Sequence, residues 1–173
     1  MSAEANHPLV GIVMGSDSDL GVMQETARML QRFEVPFEIT VASAHRSPQR
    51  ATDFATGARE RGMEVIVAGA GHAAHLAGVL AAHTTLPVIG VPIDSSAFQG
   101  LDSLLSTVQM PPGIPVATMA VGKSGARNAG ILAVQILSLS RPHLASRLDD
   151  FKAEMATQVE EKARKLETQT TFS

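Results

Sequence analysis

Residues 63–78 read MEVIVAGAGHAAHLAG. The opening stretch, 63–68, is almost continuously apolar and β-branched, and the residues from Ala73 on are small and helix-forming. Apolar residues at successive positions, rather than alternate ones, mark a strand buried on both faces. A helix over 73–83 then carries the chain back, which makes a strand–helix unit of a parallel sheet. The same alternation extends in both directions. Strands are expected at 9–14 (LVGIVM), 37–42 (FEITVA), 63–68, 87–91 (PVIGV) and 115–121 (PVATMAV). Helices are expected at 19–33, where Met23, Ala27 and Leu30 share a face, and at 73–83, 101–110 and 124–140. Another opens at Ser47-Pro48, an N-cap followed by a first-turn proline, and runs to about Arg61, with Gly62 as its stop. Five strands separated by helices predict an α/β chain, a doubly wound three-layer α/β/α sandwich on a five-stranded parallel sheet.

Composition narrows the class. A chain of 173 residues suits one domain, read here as a tail at 1–7, a domain at 8–140 and a C-terminal helix and tail at 141–173. Trp and Tyr are absent, so the core must be aliphatic. A net charge of −3 without a basic block argues against a nucleic-acid partner. Without cysteine there is no disulfide, thiolate metal site or thiol nucleophile. No signal-peptide layout and no apolar run of the ~20 residues that span a bilayer is present, so no membrane role and a cytoplasmic location are expected. Helix 124–140 is apolar nearly all round, and 142–166 carries Leu144, Leu148, Phe151, Met155 and Val159 on one stripe. Either the two cover each other or they are covered in a homo-oligomer, the reading preferred here.

Ligands of parallel sheets bind outside the carboxyl ends of the strands. There this chain collects Gly15-Ser16-Asp17-Ser18-Asp19, Ser43-Ala44-His45-Arg46-Ser47, Gly69-Ala70-Gly71-His72 with His75, and Asp94-Ser95-Ser96. The first group combines a glycine, two hydroxyls and a helix start, which suits a ligand or plain helix capping. Its aspartates would repel a phosphate but suit ribose hydroxyls. In the second, Arg46 offers a planar fork to a phosphate, and the imidazole of His45 can give or take a proton near neutral pH. His72 and His75 stand three apart, as a metal pair on a helix would, but no acidic residue nearby completes a ligand set.

MGSDSD, SAHRSP, GAGHAAHLAG, LPVIGVPI and GLDSLLSTVQMPPGIPVATMAVG, in that order, resemble the class I N5-carboxyaminoimidazole ribonucleotide mutases of purine biosynthesis over about residues 8–140. The resemblance implies a flavodoxin-like sandwich assembled as an octamer. It implies transfer of a carboxylate from the exocyclic nitrogen of the substrate to ring carbon C4, with no metal and no cofactor, downstream of an ATP-dependent synthetase. Carried over by motif, His45 is the general acid and base. Ser16, Asp19, Ser43 and Arg46 hold the ribose phosphate, Asp19 at the ribose hydroxyls. His75 and Leu76, with the Gly69-Ala70-Gly71 backbone, line the carboxylate pocket. The family's His-Leu-Pro-Gly is here His75-Leu76-Ala77-Gly78, which loosens that loop, and His72 stands where the family has a small residue. The rival readings are a class II enzyme that carboxylates aminoimidazole ribonucleotide directly and a non-catalytic flavodoxin-like module for a nucleotide or FMN; the flavin variant lacks the Trp or Tyr that commonly stacks on the ring.

Overall fold

The structure, a computed structural model, describes residues 7–169; the expected tail at 1–7 lies outside them except for His7, as does 170–173. The elements are β1 (Val10–Met14), α1 (Leu20–Arg32) after a tight turn at Asp17–Asp19, β2 (Phe37–Val41), α2 (Pro48–Gly57), β3 (Val65–Gly71), α3 (Leu76–Ala82), β4 (Val88–Ile93), α4 (Leu101–Val108), β5 (Ala117–Thr118), α5 (Lys123–Ser138) and α6 (Pro142–Gln169). The strands pair in the order β2-β1-β3-β4-β5, all parallel. This is the flavodoxin-like order, with its switch point between β1 and β3.

The continuous apolar runs are buried as expected: β1 and β4 are buried at every position. On one face of the sheet, Val13, Ile66, Ala68 and Val88 join Phe54 of α2 and Leu76 and Leu80 of α3 in a single core. Elsewhere Met23 of α1 fills the space that a side chain at Gly69 would need. Gly130 lets α5 come against α1, since a Cβ there would lie 2.8 Å from the Met29 Cβ and 2.9 Å from the Thr26 carbonyl oxygen. The buried Thr26 hydroxyl uses that closeness, donating to the Ala126 carbonyl at 2.7 Å. A core poor in aromatic rings closes its layers by such small-residue approaches, because aliphatic side chains cannot fill wide gaps.

Several boundaries differ from those expected. β3 continues through Gly69-Ala70-Gly71, which the sequence reading places in the loop beyond it. The glycines remain in the ladder because β4 pairs with them as far as Gly71–Ile93. α2 stops at Gly57, and 58–61 is turn before Gly62 at φ +90°. α3 begins only at Leu76, so Ala77 is a buried helical residue and does not loosen a loop. β5 shrinks to Ala117–Thr118, an edge strand with one neighbour.

The chain divides into two compact units, up to Ile136 and from Leu137 onward. In the second, Leu144, Leu148 and Phe151 of α6 are buried, whereas Met155 and Val159 of the same stripe are exposed.

Gly125, in the first turn of α5, gives a direct test of these close approaches. A methyl at this position would overlap the Ala120 carbonyl group. Gly125→Ala gains ~1 kcal/mol of helix propensity, but overpacking against main chain costs ~1–3 kcal/mol or more. The expected result is a lower urea midpoint with an unchanged slope. An unchanged midpoint would mean that the turn relaxes freely.

Candidate functional site

The carboxyl ends of β1, β2 and β3 deliver their polar residues to one cavity of about 530 Å³, at the switch point of the sheet. Ser16, Asp19, Ser43, His45, Arg46 and His75 all line it, as do Ala70, Gly71 and Leu76. Gly69 does not; its missing side chain makes room for Met23, and its carbonyl accepts from the Gly15 N–H at 3.0 Å. Gly69 thus sits behind the cavity wall as a packing position.

The segment between β2 and α2 is a fastened turn. The Ser43 N–H donates to the Ser47 hydroxyl at 2.9 Å, and that hydroxyl donates back to the Ser43 carbonyl at 3.2 Å. Ser47 thus occupies the N-cap position of α2 with Pro48 in the first turn, as expected, but its side chain makes no cap bond. The Arg46 N–H donates to the Ser43 hydroxyl at 3.1 Å, and this leaves the Ser43 O–H free to donate to a ligand. Held this way, the turn projects His45 and Arg46 outward as exposed side chains. One guanidinium nitrogen of Arg46 donates to the Gly15 carbonyl at 3.4 Å, which brings the turn to the end of β1.

His45 Nε2 lies 2.8 Å from His75 Nδ1, with the rings edge to face at 79°. At that distance one nitrogen carries the proton and the other accepts it. The two histidines come from segments thirty residues apart. Their pairing uses Nε2 of His45 and Nδ1 of His75, so the second nitrogen of each ring is the one left to meet a ligand.

The turn before α1 divides its residues between a cap and the cavity wall. Ser16 caps it, its hydroxyl accepting from the Ser18 N–H at 3.4 Å and from the Ser18 hydroxyl at 2.9 Å. Asp19 makes no side-chain cap and lies in the cavity wall, only 5% exposed. Burial holds its carboxyl above the ordinary value, against a lowering by the Ser16 backbone and by the His72 and Arg46 charges.

His72 and His75 do not share a helix face, because both precede α3. His72 sits at φ +54° and its Nδ1 lies 3.2 Å from the Ser95 hydroxyl, while His75 meets His45. The sequence places Ser95 at this edge but gives it no role. The signal for it is Gly71, where any side chain would strike the Ser95 hydroxyl. Next to it Ser96 donates to Asp102 at 2.9 Å, which holds that carboxyl below its ordinary value.

Asp19 is strained electrostatically, and the sign of the effect can be worked out. A carboxyl raised in the folded state binds more protons folded than unfolded above the ordinary pKa. Stability is then lost as pH rises from that value through the raised one. Asp19→Asn should therefore raise the urea midpoint at pH 7, with the difference fading as pH falls to the ordinary carboxylate pKa. A variant no more stable at pH 7 would show that the pocket already compensates the charge.

The chain is similar to known proteins over most of its length. A family model described as AIR carboxylase matches residues 9–158. An N5-carboxyaminoimidazole ribonucleotide mutase of Pyrococcus horikoshii is 58% identical over 96% of this chain and 93% of its own length. One of Thermotoga maritima is 54% identical over 92% of each chain. Among solved structures, Treponema denticola PurE superposes with a TM-score of 0.82 at 28% identity, covering 92% of this chain and 98% of its own. The match runs through every strand and the whole cavity wall, and on it the chain belongs to the AIR carboxylase family.

Proposed function

We propose that this chain is an N5-carboxyaminoimidazole ribonucleotide mutase, an isomerase that moves a carboxylate from the exocyclic nitrogen of its substrate to C4 of the same ring. The observation that carries the reading is the pair His45 Nε2–His75 Nδ1 at 2.8 Å, inside the cavity that also holds Arg46 and Asp19. The mutases of Pyrococcus and Thermotoga support it across nearly the full chain.

The chemistry needs one proton carrier. Protonated His45 gives its proton to the carbamate nitrogen. The N–C bond breaks, its electron pair stays on nitrogen, and CO2 is left beside aminoimidazole ribonucleotide. The electron-rich C4 attacks that CO2. Neutral His45 then removes the C4 proton, which restores aromaticity and regenerates the imidazolium. The proton given equals the proton taken, so no cofactor enters. His75 orients the His45 ring through the shared hydrogen bond. Ala70, Gly71 and Leu76 form a small apolar wall against which CO2 is retained, so that proximity replaces a second encounter. Arg46, with the free Ser43 O–H and Ser16, takes the 5′-phosphate, and Asp19 the ribose hydroxyls; this remote grip supplies binding energy to the reacting end.

The reading extends to a homo-octamer in the cytoplasm, fed by an ATP-dependent synthetase. Supporting assembly, α4 turns Leu101, Leu105 and Val108 outward at 56, 50 and 47% exposure, with Phe98 at 71% beside the helix start. Among the described residues no helix is long and apolar enough to cross a membrane.

Carbon-13 in the carbamate, followed by NMR without ATP and with unlabelled bicarbonate present, tests the activity. Label retained at the C4 carboxylate establishes the mutase. Label lost to solvent indicates a carboxylase using free CO2, and no product from folded protein removes the reading. His45→Asn should bind substrate but lose turnover by ~10²–10⁴-fold; near-normal turnover would take His45 out of the role. Leu105→Glu should yield smaller species in sedimentation velocity, whereas an unchanged profile would place the interface elsewhere.

A further inference from the structure

His72 is the residue at the cavity that the reaction above does not use. Its backbone is left-handed at φ +54°, a conformation uncommon for a residue with a side chain. Glycine would adopt it without cost, so the imidazole is retained at some expense of strain. The ring is not loose. Gly71 lacks the side chain that would collide with Ser95, and Ser95 uses the opening to set its hydroxyl 3.2 Å from His72 Nδ1. With Nδ1 occupied by Ser95, Nε2 is the ring atom left for a ligand, on an exposed side chain that lines the cavity. On the cavity wall its charge is felt at the Asp19 carboxylate, more strongly than that of Arg46.

We infer that His72, pinned by Ser95, is a second ribose-recognition residue, its Nε2 hydrogen-bonding a hydroxyl of the same ribose that Asp19 engages. The inference rests on the ribonucleotide reading of the cavity. An imidazole nitrogen suits this task because a hydroxyl can donate to it or accept from it, whichever tautomer Ser95 selects. A carboxylate beside it can only accept. Together the two groups address both hydrogen-bonding capacities of a sugar hydroxyl, and a sugar lacking the hydroxyl leaves the pair unsatisfied.

The test is a substrate–variant cycle by titration calorimetry at fixed pH and salt. The probes are aminoimidazole ribonucleotide and its 2′-deoxy and 3′-deoxy counterparts, and the proteins are the native chain, His72→Gly and Ser95→Ala. Glycine accepts the left-handed backbone, so His72→Gly should fold, and its urea midpoint checks this. The native protein should prefer the ribonucleotide over one deoxy form by about three- to tenfold, the range of one net neutral hydrogen bond. His72→Gly should lose part of that preference, Asp19 keeping the rest, by weakening only toward the ligands that keep the hydroxyl, and Ser95→Ala should lose a smaller part. Equal weakening toward all three ligands would reduce His72 to a general charge in the pocket, and no weakening would remove it from the site; either overturns the inference and leaves the ribonucleotide reading standing. Failure of the native chain to bind any of the three would overturn that reading, and this inference with it.

Discussion

A parallel sheet covered on both faces offers a ligand nothing but its ends. The strands here are apolar at successive positions because helices lie over both faces, and no polar side chain can point out of the middle of β1, β3 or β4 without being stranded. All chemistry is therefore pushed to the carboxyl edge. At the switch point between β1 and β3 the flanking connections diverge to opposite faces and leave a cleft. Everything functional in the molecule depends on that exclusion: the same burial that stabilises the sheet concentrates Ser16, Asp19, His45, Arg46 and His75 around one cavity.

The cleft is useful only if main chains come close at its floor, and small residues make this possible. Gly69 takes Met23 from one side, and Gly71 makes way for Ser95. The fastened turn from Ser43 to Ser47 completes the wall by spending its hydroxyls on its own backbone. Residues that look like ligand donors in the sequence are thus partly scaffold. The scaffold is what holds His45 against His75 and keeps Arg46 near the end of β1.

Much of this was legible in the sequence because burial on two faces leaves a plain pattern. The five strands, their helices and the edge that carries the chemistry follow from where the apolar runs stop. The individual roles within that edge were harder to see. Gly69 and Gly71 share one face of β3, yet only Gly71 lines the cavity, because Gly69 lies two residues further from the strand's end and packs against Met23. The helix expected from residue 73 starts only at Leu76, because nothing local marks where its first turn begins. The contacts His45–His75 and His72–Ser95 join segments thirty and twenty-three residues apart. No periodicity encodes such pairs; they exist only once the sheet order brings the strand ends together.

The site also shows where stability has been given up. Asp19 is a carboxylate kept out of water, His72 a side chain on a left-handed backbone, and both stand on the same cavity wall. Neither helps the sheet form. Their costs are tolerable because they are partly mutual: the His72 charge favours the ionised form of Asp19, which burial alone opposes. On the reading proposed above, a pocket that grips a sugar and yet releases it gains from this arrangement. An aspartate fully satisfied by protein donors would have no lone pairs left for hydroxyls, and one wholly unsupported would take up a proton and lose its charge. The His72 charge and the Ser16 backbone offset part of the burial cost without filling the carboxyl's lone pairs, which stay open to a donor in the cavity.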